Sequence, residues 1–228
     1  MPMNKFKIKK IFSPYFLDEY SIFKKIKKYK KYFNGVVLDI GCRDKPYVMI
    51  IPHEKYIGLD LDPLSKADII ADATNIPLNS ESIDTIFSTQ TIGDIYNIDK
   101  FYSEAFRLLK NNGYLIMTSE FICGLHDEPF DYYRFTKYGI KRQLEDSGFE
   151  IIHLEETSNS ITSAGYILAV SLWKTYLSFE NILFKRIVYS AILLLIFINN
   201  IFFLVLGKSL CTYESPLGYG IVAKKRGV

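Results

Sequence analysis

The chain has 228 residues, and its 28 lysines and arginines against 25 aspartates and glutamates leave a formal net charge of +3. That length suits one domain with an ample core plus an attachment. Three cysteines, an odd number at unrelated spacings, exclude a disulfide framework and point to reduced thiols in a cytosolic setting.

The charge is unevenly spread. Residues 1–35 hold ten of the 28 basic residues and only two acids, Asp18 and Glu19. Over 20–33 the spacing of Ile22, Ile26, Tyr29 and Phe33 predicts one apolar helical face with lysines between. Residues 1–34 therefore read as a basic amphipathic segment. They lack the continuous apolar core and small-residue cleavage site of a signal peptide.

Next, an apolar run at 36–40 ends in a glycine turn at Gly41. A second run, 56–60, ends in Asp60, 21 residues after Asp39. A buried parallel strand, a tight turn and an acid placed to grip a ribose diol open a nucleotide-binding βαβ unit. A dinucleotide fingerprint would need glycines at 41, 43 and 46, which are Gly41, Arg43 and Pro46 here. Asp39 and Asp44 would repel a diphosphate but suit a ligand carrying a sulfonium and an ammonium group. The turn argues against NAD and for S-adenosylmethionine.

Further strands are predicted at 68–71 and 83–88, then a helix at 99–109 closed by Asn111-Asn112-Gly113 as C-cap and turn. A fifth strand follows at 114–118. Thr136 is placed to N-cap a helix over 137–147, which Gly148 ends. A sixth strand covers 149–154 and a last one 220–224. Strands alternating with helices predict an α/β fold: a Rossmann-like, seven-stranded, mostly parallel sheet with helices on both faces. No metal-ligand cluster is visible, because His53, His126 and His153 share no suitable spacing with cysteines. Cys42 reads as a small packed residue rather than a nucleophile.

Two motifs carry a family resemblance. One is Gly41-Cys42-Arg43-Asp44-Lys45-Pro46-Tyr47. The other runs His126-Asp127-Glu128-Pro129-Phe130-Asp131-Tyr132-Tyr133-Arg134-Phe135-Thr136. With these the chain resembles class I S-adenosylmethionine-dependent methyltransferases of the group called methyltransferase type 11, over about 36–155 and again at 219–225. The first motif departs from the group at Arg43, where a glycine is usual. A second departure is Ile92-Gly93-Asp94, where relatives carry Leu-Glu-His. The resemblance implies that the last strand is antiparallel and slots between the fifth and sixth. It also implies cofactor contacts at the carboxyl ends of the strands. Asp39 and Gly41 would frame the methionine portion, with Asp60 and Leu61 at the ribose and Asp72 and Ala73 at the adenine. For each acid, a helix cap or solvated turn is the alternative, and Asp84, inside the fourth strand, reads as serving the fold.

The acceptor site is expected in residues 120–136. Methyl transfer is an in-line displacement, so the protein supplies alignment and, for a hydroxyl, a base. His126 is the histidine at that rim, and histidine titrates near neutrality; Asp127 or Glu128 would orient it. Arg134 would hold an anionic acceptor group. The alternative is that Asp131 and Arg134 pair to fix the loop and His126 bonds the backbone.

Residues 158–212 form an apolar helical insertion, with helices predicted at about 161–178 and 182–206. They divide the methyltransferase domain into 35–157 and 213–228. Ile187 to Leu206 is 20 residues, about 30 Å as a helix. A single crossing would strand the last β-strand on the wrong side. The expectation is a hairpin dipping into or lying along the inner face of the membrane, with a cytoplasmic, peripheral or monotopic enzyme. A soluble helical cap or a homodimer interface is the alternative. Relatives that occur with surface-polysaccharide enzymes suggest a small-molecule or glycan acceptor, with O-methylation of a sugar or lipid-linked glycan hydroxyl. A membrane-bound scaffold with a degenerate cofactor site is the competing reading. Nucleic acid is not expected as a partner, since no Asn-Pro-Pro-Tyr base-flipping motif is present.

Overall fold

The computed structural model describes residues 10–210 and 212–227; Lys5, Lys7 and Lys9 of the basic segment and the third cysteine, Cys211, lie outside them. The strands are β1 (Val36–Ile40), β2 (Lys55–Asp60), β3 (Ile69–Ile70), β4 (Ile83–Thr89), β5 (Leu109–Glu120), β6 (Phe149–Glu156) and β7 (Gly218–Lys225). They form a seven-stranded sheet in the order β3-β2-β1-β4-β5-β7-β6. β1 to β5 pair in parallel, and β7 runs antiparallel to β5. The helices are α1 (Phe16–Tyr29), α2 (Ile98–Leu108), α3 (Lys137–Asp146), α4 (Ser160–Ser178) and α5 (Ile182–Ser209). The sheet is therefore the expected one, mostly parallel with helices around it.

Contiguous apolar runs explain the central strands. Val37, Leu38, Ile40, Ile86 and Phe87 are at most 1% exposed, as strands covered on both faces require. α2 presents Phe101, Tyr102, Ala105 and Leu108 to the same core as Leu115, Met117 and Ile221. The side chain of Asn97 caps α2 through the Lys100 N–H, and Thr136 caps α3 through the Gly139 N–H.

The Asn111-Asn112-Gly113 stretch departs from expectation. α2 ends at Leu108 and β5 begins at once, so these residues lie inside the strand as an irregularity in its pairing with β4. Asn112 takes the left-handed conformation, with φ +65°, which asparagine tolerates there as it would in a turn. The third strand is also shorter than predicted, two residues against four.

The chain divides into two compact units, one holding Lys25–Glu155 and Gly218–Val228, the other Met1–Lys24 and Glu156–Leu217. The N-terminal division thus falls inside α1 rather than at 34/35. Lys25 and Lys28 reach the Glu155 carboxylate of β6 at 2.8 and 2.6 Å. Against the upward push of burial, their hydrogen bonds draw that carboxyl down to about 2. Tyr29 donates to the Gly220 carbonyl at 3.1 Å. Tyr32 meets His153 at 2.7 Å. The second half of α1 is thereby part of the sheet unit.

The other unit contains an antiparallel pair, α4 and α5. Asn159 caps α4 through the Thr162 N–H, and Asn181 caps α5 through those of Leu183 and Phe184. Phe16, Leu17, Tyr166 and Leu217 form a small buried cluster there.

Candidate active site

Parallel pairing brings Ile40 level with Leu59 and Ser88, and Thr89 level with Thr118. The residues just past these positions share one edge of the sheet, the carboxyl edge, where ligands bind in such folds. Asp39 is 1% exposed. Its Oδ2 accepts a hydrogen bond from Tyr56 Oη at 2.5 Å, while its Oδ1 has no protein partner among the described residues. Burial pushes its carboxyl up to about 7, with Asp60 adding to the rise and Tyr56 and Lys45 opposing it. Lys45 acts on it only at a distance, being paired with Asp68 at 2.6 Å, and a bound ammonium or sulfonium group would supply a direct counter-charge.

Gly41 has φ +74°, and a side chain there would meet Thr91 Oγ1 at 2.3 Å, so the turn requires glycine. Arg43 has φ +43°, the region open to the glycine usual at this position. The backbone of the turn is therefore kept although the residue is not. Its guanidinium pairs with Asp127 and joins the turn to the loop after β5. Burial, with Asp39 and Asp60 nearby, pushes the Cys42 thiol up to about 12, which fits a packed residue.

Asp60 sits at the end of β2 and is 8% exposed. Its two oxygens accept from the Arg43 N–H at 2.7 Å and the Asp62 N–H at 3.0 Å. It ties the two turns together, and each oxygen retains a lone pair for a ribose hydroxyl. Leu61 beside it is exposed. Asp72 closes an Asx turn on the Thr74 N–H at 2.7 Å, with Ala73 half-buried next to it. Asp84 lies away from this edge. Hydrogen bonds from Lys110 and the Val36 N–H outweigh its burial and hold it below the usual carboxylate range, a structural role.

The loop after β5 is fixed from within. Asp131 makes a bidentate pair with Arg134, its Oδ2 accepting from Nη2 at 2.8 Å. That pairing, with lesser help from the His126 N–H, draws the Asp131 carboxyl down to about 2. Arg134 also donates to the carbonyls of Tyr133 and Gly124 at 3.0 and 3.3 Å. Its guanidinium is thus turned onto protein oxygens, and the pair shapes the loop.

The loop is anchored to Gly93, whose carbonyl accepts from the N–H groups of Tyr132 and Tyr133, both at 3.0 Å. A Cβ at Gly93 would stand 2.9 Å from the Tyr133 carbonyl oxygen, so the glutamate of Leu-Glu-His has no room here. Asp94, at the place of that motif's histidine, puts Oδ1 at 3.9 Å from His126 Nε2. Burial raises the Asp94 carboxyl and the nearby His126 opposes the rise. His126 Nδ1 lies 3.1 Å from the Gly124 carbonyl and 3.6 Å from Asp131 Oδ2. Arg134 Nη2, a donor, also lies 3.3 Å from Nδ1, and Nε2 is the ring nitrogen that faces Asp94. Asp94, His126 and Asp127 bring one donor atom each within 4.8 Å, a grouping that histidine–cysteine spacing did not reveal.

Spacing also missed Tyr56 and Asp94. Tyr56 gives no signal in sequence; Ile92-Gly93-Asp94 does stand against Leu-Glu-His, but with the histidine absent the comparison carries no catalytic role to Asp94.

A family model described as hypothetical methyltransferase matches residues 16–174. The chain belongs to this family. It is a class I methyltransferase, and its cofactor is S-adenosylmethionine. No curated protein matches it by sequence. Among solved structures, this methyltransferase is similar to an S-adenosylmethionine-dependent methyltransferase from Archaeoglobus fulgidus, at 17% identity and TM-score 0.57, covering 92% of this chain and 94% of that one. It is similar to the cyclase SpnF at 16% identity and TM-score 0.59, covering 92% and 82%. Phosphoethanolamine N-methyltransferase 2 of Haemonchus contortus, in complex with S-adenosyl-L-methionine, matches at 18% identity and TM-score 0.55, covering 90% and 52%. The chain spans about half the length of that last protein. At such identities the likeness carries the fold, and a cyclase among the neighbours underlines that the fold alone does not name the acceptor.

Proposed function

We propose that this methyltransferase methylates a hydroxyl of a sugar or a lipid-linked glycan in surface-polysaccharide synthesis on the cytoplasmic side. The observation that carries the reading is the His126–Asp94 pair at the carboxyl edge. A hydroxyl is a poor nucleophile until its proton is taken, whereas an amine attacks unaided when neutral. His126 Nε2 accepts the hydroxyl proton, and Asp94 stabilises the imidazolium that forms. Asp39, Gly41 and Asp60, with Asp72 and Ala73 at the far side, would hold the cofactor, which supplies an activated methyl group when bound. The partnerless Oδ1 of Asp39 fits that cationic ligand.

The competing scaffold reading drew on Arg43 and the missing Leu-Glu-His. Arg43 keeps the glycine-type backbone and Gly93 is required by the loop, which favours the enzyme.

The test has two steps. Calorimetry should register S-adenosylmethionine, and Asp60→Ala should weaken binding by about 1–3 kcal/mol. Labelled methyl groups should then pass to glycan hydroxyls. Absence of cofactor binding supports the scaffold, while binding with transfer to amines alone overturns the hydroxyl reading.

A further inference from the structure

In the unit containing α4 and α5, polar side chains share the buried side with Ile196 and Tyr166, while many large apolar side chains stand outside. Asn199, Asn200, Thr162 and Ser163 are buried. Asn199 Nδ2 donates to the Gly165 carbonyl at 2.8 Å, and Asn200 Nδ2 to those of Ile11 and Ser13 at 2.7 and 2.9 Å. The asparagines that interrupt the apolar run of α5 are thus satisfied inside the unit. Outside stand Ile187, Leu194, Leu195, Ile198, Phe202 and Val205, all at least half exposed and recurring at helical spacing. Only 22% of the most apolar window of α5 is buried, whereas a core helix of a water-soluble domain would be mostly covered.

Charge decides what covers this flank. No charged residue lies between Arg186 and Lys208. A seam for a second copy would carry charged neighbours that set pairing and keep the free protein soluble. An uncharged apolar flank framed by cations matches acyl chains bordered by anionic headgroups. α4 decides the orientation. It runs antiparallel to α5 and exposes Lys174, whose charge would be costly in the hydrocarbon layer of a crossing hairpin, beside Ser171, Thr175 and Ser178. Both ends of the hairpin also lead to strands of one sheet, β6 and β7.

We propose that α5 lies along the surface of an anionic membrane, its Ile187–Val205 flank among the acyl chains and Arg186 and Lys208 at the headgroups, with α4 on the water side. This partner does not depend on the identity of the acceptor.

The test is flotation of the full chain with phosphatidylcholine vesicles, with and without phosphatidylglycerol. The protein should float with the anionic vesicles, and Leu194→Glu/Ile198→Glu should cut the bound fraction at least tenfold with unchanged melting. In a Trp173→Phe background, single tryptophans at Ile187 and Val205 should be quenched to equal depth by brominated lipids, because a helix in the plane holds both at one level. Unequal depths would overturn the in-plane orientation. A full chain that floats with neither vesicle, or a dimer that the double glutamate variant turns into monomers without altering flotation, would overturn the lipid partner.

Discussion

Asp94 Oδ1 and His126 Nε2 face each other at 3.9 Å across the carboxyl edge of the sheet, from the turn after β4 and the loop after β5. A base flanked by a carboxylate loses its advantage in two distinct ways. His126→Ala removes the proton acceptor, and turnover should fall by about 10²–10⁴ with cofactor affinity nearly intact. Asp94→Asn keeps the shape but not the charge. It should lower kcat less than His126→Ala does, since the base stays and only the partner of the imidazolium is lost. Equal loss of kcat and melting temperature in both variants would mark the pair as structural.

Asp39 should couple cofactor binding to protons. Its carboxyl is raised from 3.8 to about 7 in the folded protein. Between about pH 4 and pH 7 the folded state holds a proton that the unfolded chain has released, so its contribution to stability falls as pH rises through that window. Asp39→Asn should flatten that slope in melting curves. A cationic cofactor favours the ionised form, so binding near pH 6.5 should release a proton. Calorimetry in two buffers of different ionisation enthalpy measures it; identical apparent enthalpies would contradict the coupling.

Arg134 was expected to grip the acceptor, and its geometry changes the expected outcome of removing it. The Asp131 side chain is 2% exposed. Arg134→Ala would leave that charge buried and unpaired, at a cost on the order of 3–5 kcal/mol. Arg134→Ala/Asp131→Ala should cost less than the single change. Chemical denaturation decides the point. A stable Arg134→Ala variant with a raised acceptor KM would restore the binding role.

Gly93 should be intolerant even of alanine. A Cβ 2.9 Å from the Tyr133 carbonyl oxygen forces the backbone apart and weakens the two N–H bonds that seat the acceptor loop. Gly93→Ala should lose about 1–3 kcal/mol of stability, and Gly93→Glu, which restores the residue common in relatives, should lose more. Unchanged melting in Gly93→Ala would show that the loop can shift freely.

These sites show where sequence is readable. The central strands, Ile22, Ile26 and Tyr29 on the buried face of α1, and the Thr136 cap all follow from local spacing and side-chain chemistry, whereas Phe33, though buried, lies past the helix end in extended backbone. Asn111-Asn112-Gly113 misleads because a left-handed asparagine inside an irregular strand has the same composition as a hairpin turn. Asn199 and Asn200 look like interruptions of an apolar face and turn out to be its inward side, which depends on partners such as Ile11, 189 residues from Asn200. The bond between Tyr56 and Asp39 joins two strands paired in a register that no single-strand pattern specifies.

The place of β7 between β5 and β6 has a consequence for how the molecule is made. β6 has no neighbour on the β5 side until Gly218–Lys225 have left the ribosome. The apolar hairpin is synthesised before that, while the sheet still presents two unpaired edges. A chain that ends between Ser209 and Gly218 would therefore carry the hairpin without the strand that closes the sheet, and protease protection of β6 should appear only in chains that include Gly218–Lys225.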